Sequence, residues 1–116
     1  TGGGVGVMAY GPYLSGPYQQ LRVVPPDKNI PHATIDDYVA HVDYIAKLIG
    51  VEHVGLSTDG YLDGTMAHSR TADGILDSPR RWKEAIRHLH AIGYSEGDLQ
   101  KIMGQNFLRV YRKVLQ

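Results

Sequence analysis

The sequence predicts an α/β fold built on parallel strands, and the stretch it describes is expected to be part of a larger parallel sheet or barrel. Three observations predict this. Short apolar runs alternate with amphipathic helical segments in the order strand, helix, strand, helix, which implies a right-handed parallel crossover. Two parallel strands do not make a stable sheet, because such strands occur where both faces are covered and further strands lie alongside. Each strand also empties at its C-terminal end into a loop longer than about 15 residues, and that end is where open sheets and barrels carry their ligand sites.

The elements follow in order. Val5 to Tyr10 is short and apolar, bounded by Gly2-Gly3-Gly4 and Gly11-Pro12, the pattern of a buried strand. From Gly11 to Ala33 no periodicity persists, and Gly16-Pro17, Pro25-Pro26-Asp27 and Ile30-Pro31 break any regular element. Ile35, Tyr38, Val39, Val42, Ile45, Ala46 and Ile49 then recur at helical spacing. Thr34, three residues ahead of Asp37, predicts a capping box, and Gly50 closes the helix. Val51 to Ser57 reads as the second strand, with Val54 and Leu56 on one face and Gly55 allowing close packing on the other.

A second long loop runs from Thr58 to Asp77. Ser78 as N-cap and Pro79 at the first helical position open the next helix, with Trp82, Ala85, Ile86, Leu89 and Ile92 on one face and Gly93 at its end. Ser95 and Asp98 open a third helix through Leu99, Ile102 and Met103, and Gly104 interrupts it. Asn106 is placed to cap a last helix bearing Phe107, Leu108, Val110, Tyr111, Val114 and Leu115. Residues 1–116 read as a single segment, with no second domain, internal repeat or linker. The start at Thr1, not Met, reads as an internal or processed beginning.

Composition narrows the functional classes. Twelve Lys and Arg balance twelve Asp and Glu, so no long-range field draws the chain to nucleic acid or an anionic membrane. No apolar run approaches the roughly 20 residues of a bilayer span, and no secretory signal precedes the first strand. A soluble chain is therefore expected, with its compartment open. The absence of Cys removes disulfides and thiolate zinc sites.

The sharpest local feature is Gly55-Leu56-Ser57-Thr58-Asp59-Gly60-Tyr61-Leu62-Asp63-Gly64, where the apolar run turns polar. A carboxylate at a strand's C-terminal end points into a barrel mouth, where Asp59 can bind a metal, accept a proton or meet a substrate ammonium group. Capping of a turn by Asp59 and Asp63 is the structural alternative. Of the six His, only His68 falls on the expected active face, as a substrate contact or an exposed loop residue. His88 and His90 are two apart on a helix and point to different faces, so they do not grip one ion. His32, His41 and His53 read as structural or solvated. Tyr10, Tyr13 and Tyr18 supply aromatic walls with hydroxyl tips that suit a small polar substrate, or pack their loop. Arg80-Arg81 with Lys83 and Arg87 read as a solvated basic helix face. No spacing forms a complete zinc site, and no Gly-x-Ser-x-Gly elbow is present.

Four segments in order carry a resemblance: Gly3-Gly4-Val5-Gly6-Val7 running to Tyr10 and Tyr13-Leu14-Ser15; Thr34 to Gly50 with Tyr38, His41, Val42, Asp43 and Ile45; His53-Val54-Gly55-Leu56-Ser57-Thr58-Asp59; and Gly104-Gln105-Asn106-Phe107-Leu108-Arg109-Val110. Together they resemble the C-terminal third of the membrane dipeptidase (renal dipeptidase) family, zinc peptidases with a TIM-barrel fold in the amidohydrolase-like group. The resemblance implies the last portion of a (β/α)8 barrel, which typically takes about 250 residues. It implies hydrolysis of dipeptides by a complete enzyme with two zinc ions sharing a bridging water. Its zinc ligands, a His-x-Asp pair, a bridging Glu and two later His, all precede residue 1, so this chain is expected to hold no metal ligand. Asp59 is similar to the family's acidic residue beside the metal-bound water and the substrate's amino end, which implies proton transfer or ammonium binding. Tyr10 matches a pocket-lining position.

The family usually carries Asp-Phe-Asp-Gly at this strand end, whereas Asp59 to Gly64 is two residues longer, which reshapes the pocket and leaves Asp63 without an equivalent. Implied partners are a dipeptide or similar small amide, and the missing N-terminal barrel portion or another copy of the chain in a homo-oligomer. Two other readings stay open. One is a non-catalytic module that completes its half-sheet with another polypeptide, and the other is a sugar- or phosphate-binding barrel fragment.

Overall fold

A computed structural model describes residues 2–9, 14, 33–58, 75–76 and 78–116. Strand β1 spans Val5–Met8 and β2 spans Val54–Ser57, and the two pair in parallel with Val5 opposite Val54 and Met8 opposite Ser57. The mixed α/β class and the parallel crossover hold, while a closed barrel is beyond what two strands display. The first strand is shorter than the apolar run suggested, ending at Met8.

Between the strands lies helix α1, Ile35–Ile49. The expected capping box forms: the Asp37 amide donates to Thr34 Oγ1 at 3.3 Å, and the Thr34 amide donates to Asp37 Oδ2 at 2.8 Å. These bonds satisfy two donors that a helix start leaves without intrahelical partners. Its apolar stripe, Ile35, Tyr38, Val39, Val42 and Ala46, is buried and joins Val7, Ala9 and Val54 in one core. Gly50 ends the helix with φ 94°, a left-handed conformation that favours glycine.

The second strand begins three residues later than its apolar run suggested. Val51–His53 forms a single 3-10 turn, with the Val54 amide donating back to the Val51 carbonyl. Helix α2 spans Arg80–Ala91, one residue inside the predicted start, with Pro79 at its N-cap position. Ser78 does not cap it: the hydroxyl donates backwards to the Ile75 carbonyl at 3.1 Å. The buried face keeps Ala85 and Leu89 of the expected stripe, with Ile86 packed against the core, but gains Arg81 and loses Ile92. Arg81, Ala85 and Leu89 are buried, whereas Ile92 is exposed. Gly93, with φ 109°, lies just beyond.

Helix α3, Glu96–Gln100, starts as expected on Ser95, whose Oγ accepts from the Asp98 amide at 3.1 Å. A widened turn, Lys101–Gln105, leaves helical geometry at Gly104 and leads into α4, Asn106–Val114. Asn106 does not cap α4 with its side chain. Its Nδ2 instead donates to the Val51 and Val54 carbonyls at 2.7 and 2.8 Å, tying the last helix to the entry of β2.

The close approach expected at Gly55 is made by Phe107. Its ring lies against Gly55, with Gly6 of β1 and Gly4 just before that strand also within reach. No helix among the described residues is long and apolar enough to cross a membrane.

Candidate functional site

The site expected from sequence lies where β1 and β2 end. Tyr10, Asp59, Asp63 and His68, together with Tyr13 and Tyr18, lie outside the described residues. What the structure describes is the frame that leads to them. Parallel pairing puts the C-terminal ends of both strands at one edge, where the Ala9 amide donates to the Ser57 carbonyl at 2.8 Å. Tyr10 follows Ala9 in the chain, and Asp59 follows Thr58.

That edge is tied together by Tyr38 of α1. Its hydroxyl donates to the Val7 carbonyl at 2.9 Å, with the Ser57 carbonyl 3.2 Å away, and accepts from the Ser57 amide at 3.3 Å. One side chain thus touches the backbone of both strands just before they end. Tyr38 is fully buried. Burial pushes its hydroxyl well above the ordinary phenol range, opposed by the Ser57 hydrogen bond and the nearby Arg81 charge. The phenol therefore stays protonated and able to donate throughout the neutral range.

Arg81 corrects the expectation of a solvated basic face. It is only 1% exposed, and its Nε donates to the Leu76 carbonyl at 2.6 Å. A buried cation needs such partners, because an uncompensated charge is expensive away from water. Ala9, Leu14, Ala33 and Leu76, described residues within or flanking the two long loops, are all buried in the common core. The framework beneath the expected mouth is therefore packed.

Among the described histidines, His41, His53 and His88 each lie near a polar partner, and His41 is exposed. His53 Nδ1 lies 2.7 Å from the Gly3 carbonyl, and His41 Nδ1 lies 2.9 Å from the Asp37 carbonyl within α1. His88 Nδ1 meets Asp36 Oδ1 at 2.8 Å, joining α2 to α1. Among the described residues, no group of three His, Asp or Glu side chains comes together to hold a metal ion.

The opposite end of the strands carries a different arrangement. Arg109 donates to the Gly2 and Glu52 carbonyls at 2.9 and 2.8 Å, bracing both strand entries. Lys101 lies 3.3 Å from Glu52 and 3.4 Å from Asp98. A bond from its own backbone amide lowers the Glu52 carboxyl, and the Lys101 contact adds to that effect. Glu52, Lys101 and Arg109 border an open cleft of about 470 Å³, together with Gln105, Asn106, Leu108 and Arg112. It sits away from the strand ends that lead to Asp59.

Tyr38 and Arg81 are the residues that sequence reasoning placed only in helices, as core and as solvated charge. A phenol inside an otherwise aliphatic stripe was the available signal for Tyr38, since a buried hydroxyl usually finds a partner. Arg81 offered none, because adjacent Lys and Arg on a helix usually face water.

Comparison with known proteins agrees with this frame. The family model for membrane dipeptidase (peptidase family M19) matches residues 1–116. The dipeptidase ataJ of Aspergillus terreus is 38% identical over 78 residues, covering 66% of this chain and 17% of its own length. The dipeptidase tcpJ of Claviceps purpurea is 31% identical over 88 residues, covering 76% of this chain and 19% of its own. A Klebsiella pneumoniae protein from the pqqA 5′ region is 34% identical over 90 residues, covering 78% of this chain and 30% of its own. The chain thus spans between 17% and 30% of the length of these relatives. No solved structure matches.

Proposed function

The chain belongs to the membrane dipeptidase family, and from that premise we propose that it supplies the last strands and mouth loops of a barrel enzyme that hydrolyses dipeptides. The observation that supports this reading is the side-by-side ending of β1 and β2, joined at Ala9 and Ser57. Residues that follow two neighbouring parallel strands leave from one edge, the edge at which barrels carry their chemistry.

On this reading residues 1–116 form one segment of a single (β/α)8 domain, and the rest of the barrel covers the two-stranded sheet. Asp59 is the catalytic group of the chain. A water oxygen adds to the peptide carbonyl, the bond to the leaving nitrogen breaks, and a water proton ends on the departing amine. Asp59 carries that proton, or holds the substrate's ammonium group in place while it moves. Tyr10 and His68 line the substrate pocket, Tyr10 as an aromatic wall with a polar tip. The two zinc ions of the family have their ligands outside this chain, so its own contribution is the mouth and its carboxylate. A homo-oligomer of the complete enzyme is part of the same proposal.

Dipeptide turnover and zinc content, measured on the complete enzyme and on residues 1–116 alone, test the reading. The complete enzyme is expected to bind zinc and turn over, and the isolated segment to do neither. Zinc binding with turnover by the isolated segment would overturn the assignment of the metal ligands. No dipeptide turnover by the complete enzyme would overturn the reading itself.

A further inference from the structure

We infer that Tyr38 is a positioning residue for the reaction, fixing the C-terminal ends of β1 and β2, the strand ends that precede Tyr10 and Asp59 in the chain; the inference rests on the dipeptidase reading above. Both strands are only four residues long, so few ladder bonds hold their relative height. At their C-terminal ends the hydroxyl of Tyr38 adds contacts to Val7 and Ser57 in one buried spot. Ser57 stands two residues before Asp59 in the chain. A displacement of about 1 Å at a reacting group costs on the order of a hundredfold in rate, so a fastening this close along the chain acts on the chemistry as well as on folding.

The phenol suits the task. It comes from a helix fixed by its own capping box and buried along one stripe, so the hydroxyl is delivered by a rigid element. Burial keeps it protonated, so its donor is present at any pH at which a peptidase would work. Replacement by Phe keeps the ring and its packing, and leaves the Ser57 amide and Val7 carbonyl without the hydroxyl contact.

The test uses the complete enzyme as wild type, Tyr38→Phe and Val42→Ala. Val42 is fully buried on the same helix and serves as a control for lost core packing. Tyr38→Phe is expected to lower kcat about tenfold or more with KM for a dipeptide within about twofold and zinc content unchanged. The Ser57 amide of the substrate-free variant is expected to exchange its hydrogen about tenfold faster or more, while amides within α1 keep their rates. Val42→Ala is expected to lose stability and keep kcat within about twofold. An unchanged kcat in Tyr38→Phe, or an equal loss in Val42→Ala, would overturn the positioning role. Unchanged exchange at Ser57 would overturn the fastening, and that readout holds whether or not dipeptides prove to be the substrate.

Discussion

The ring of Phe107 occupies the space above Gly55 that a side chain would need. A Cβ built on Gly55 meets Cε2 of the ring, and would lie 2.6 Å from Cζ and 3.0 Å from Cδ2. Gly55→Ala is therefore expected to destabilise the complete enzyme by about 3 kcal/mol, the upper part of the usual range for overpacking. Repeating the change in a Phe107→Ala background should cost less than half as much, as measured by denaturant unfolding. Fully additive costs would contradict the contact.

Asn106 joins α4 to β2 through one nitrogen and two carbonyl oxygens. Asn106→Ala leaves the Val51 and Val54 carbonyls without this donor beneath a buried side chain, and is expected to cost about 2 kcal/mol. Asn106→Asp should cost at least as much, because a carboxylate there faces two acceptors. An Asp variant as stable as wild type would contradict the assignment of Nδ2 as the donor.

Tyr94 donates its hydroxyl to Asp43 Oδ1 at 2.9 Å. Burial first and this bond second push the Tyr94 phenol up to about 12. The folded value lies above the ordinary 10.0, so the stability contributed by Tyr94 is fully present below about pH 10 and lost as pH rises toward 12. Asp43 runs the other way. The Lys47 contact at 2.6 Å, and in smaller part Tyr94, lowers its carboxyl below the ordinary 3.8, so its contribution is present above that value and lost in stronger acid. The stability difference between wild type and Tyr94→Phe should shrink between about pH 9 and about pH 11.5. The same difference at both would count against the coupling.

The capping box at Thr34 makes a smaller prediction. Thr34→Ala is expected to cost about 1 kcal/mol in unfolding free energy, and Thr34→Ser a few tenths. Equal losses for Ala and Ser would mean that the hydroxyl contributes nothing to the cap.

Much of this arrangement was legible in the order of residues. The spacing of Tyr38, Val39, Val42 and Ala46 gave α1, Thr34 with Asp37 gave its cap, and Gly55 announced a close neighbour. Ser78 and Asn106 both suit helix starts as caps, yet Ser78 donates to the Ile75 carbonyl three residues back, and Asn106 donates to carbonyls that the fold brings near. Arg81 reads as solvated by its charge, while the packed helix turns it inward onto Leu76. Val51 to His53 continued an apolar strand pattern and became a turn, with the Val51 carbonyl taken by Val54 and Asn106. Local pattern does not specify the partners of Asn106, which lie more than fifty residues away in the chain. The strand ends that lead to Tyr10 and Asp59 followed from chain order, whereas the hydroxyl that ties them is visible only in three dimensions.

The central claim is that this stretch brings one carboxylate, Asp59, to the hydrolysis of a dipeptide. The measurement that tests it most directly is kcat/KM for a dipeptide in the complete enzyme carrying Asp59→Asn, with bound zinc determined on the same sample. The account predicts a loss of about a hundredfold or more with zinc content unchanged. A variant that keeps both its zinc and wild-type kcat/KM would contradict it.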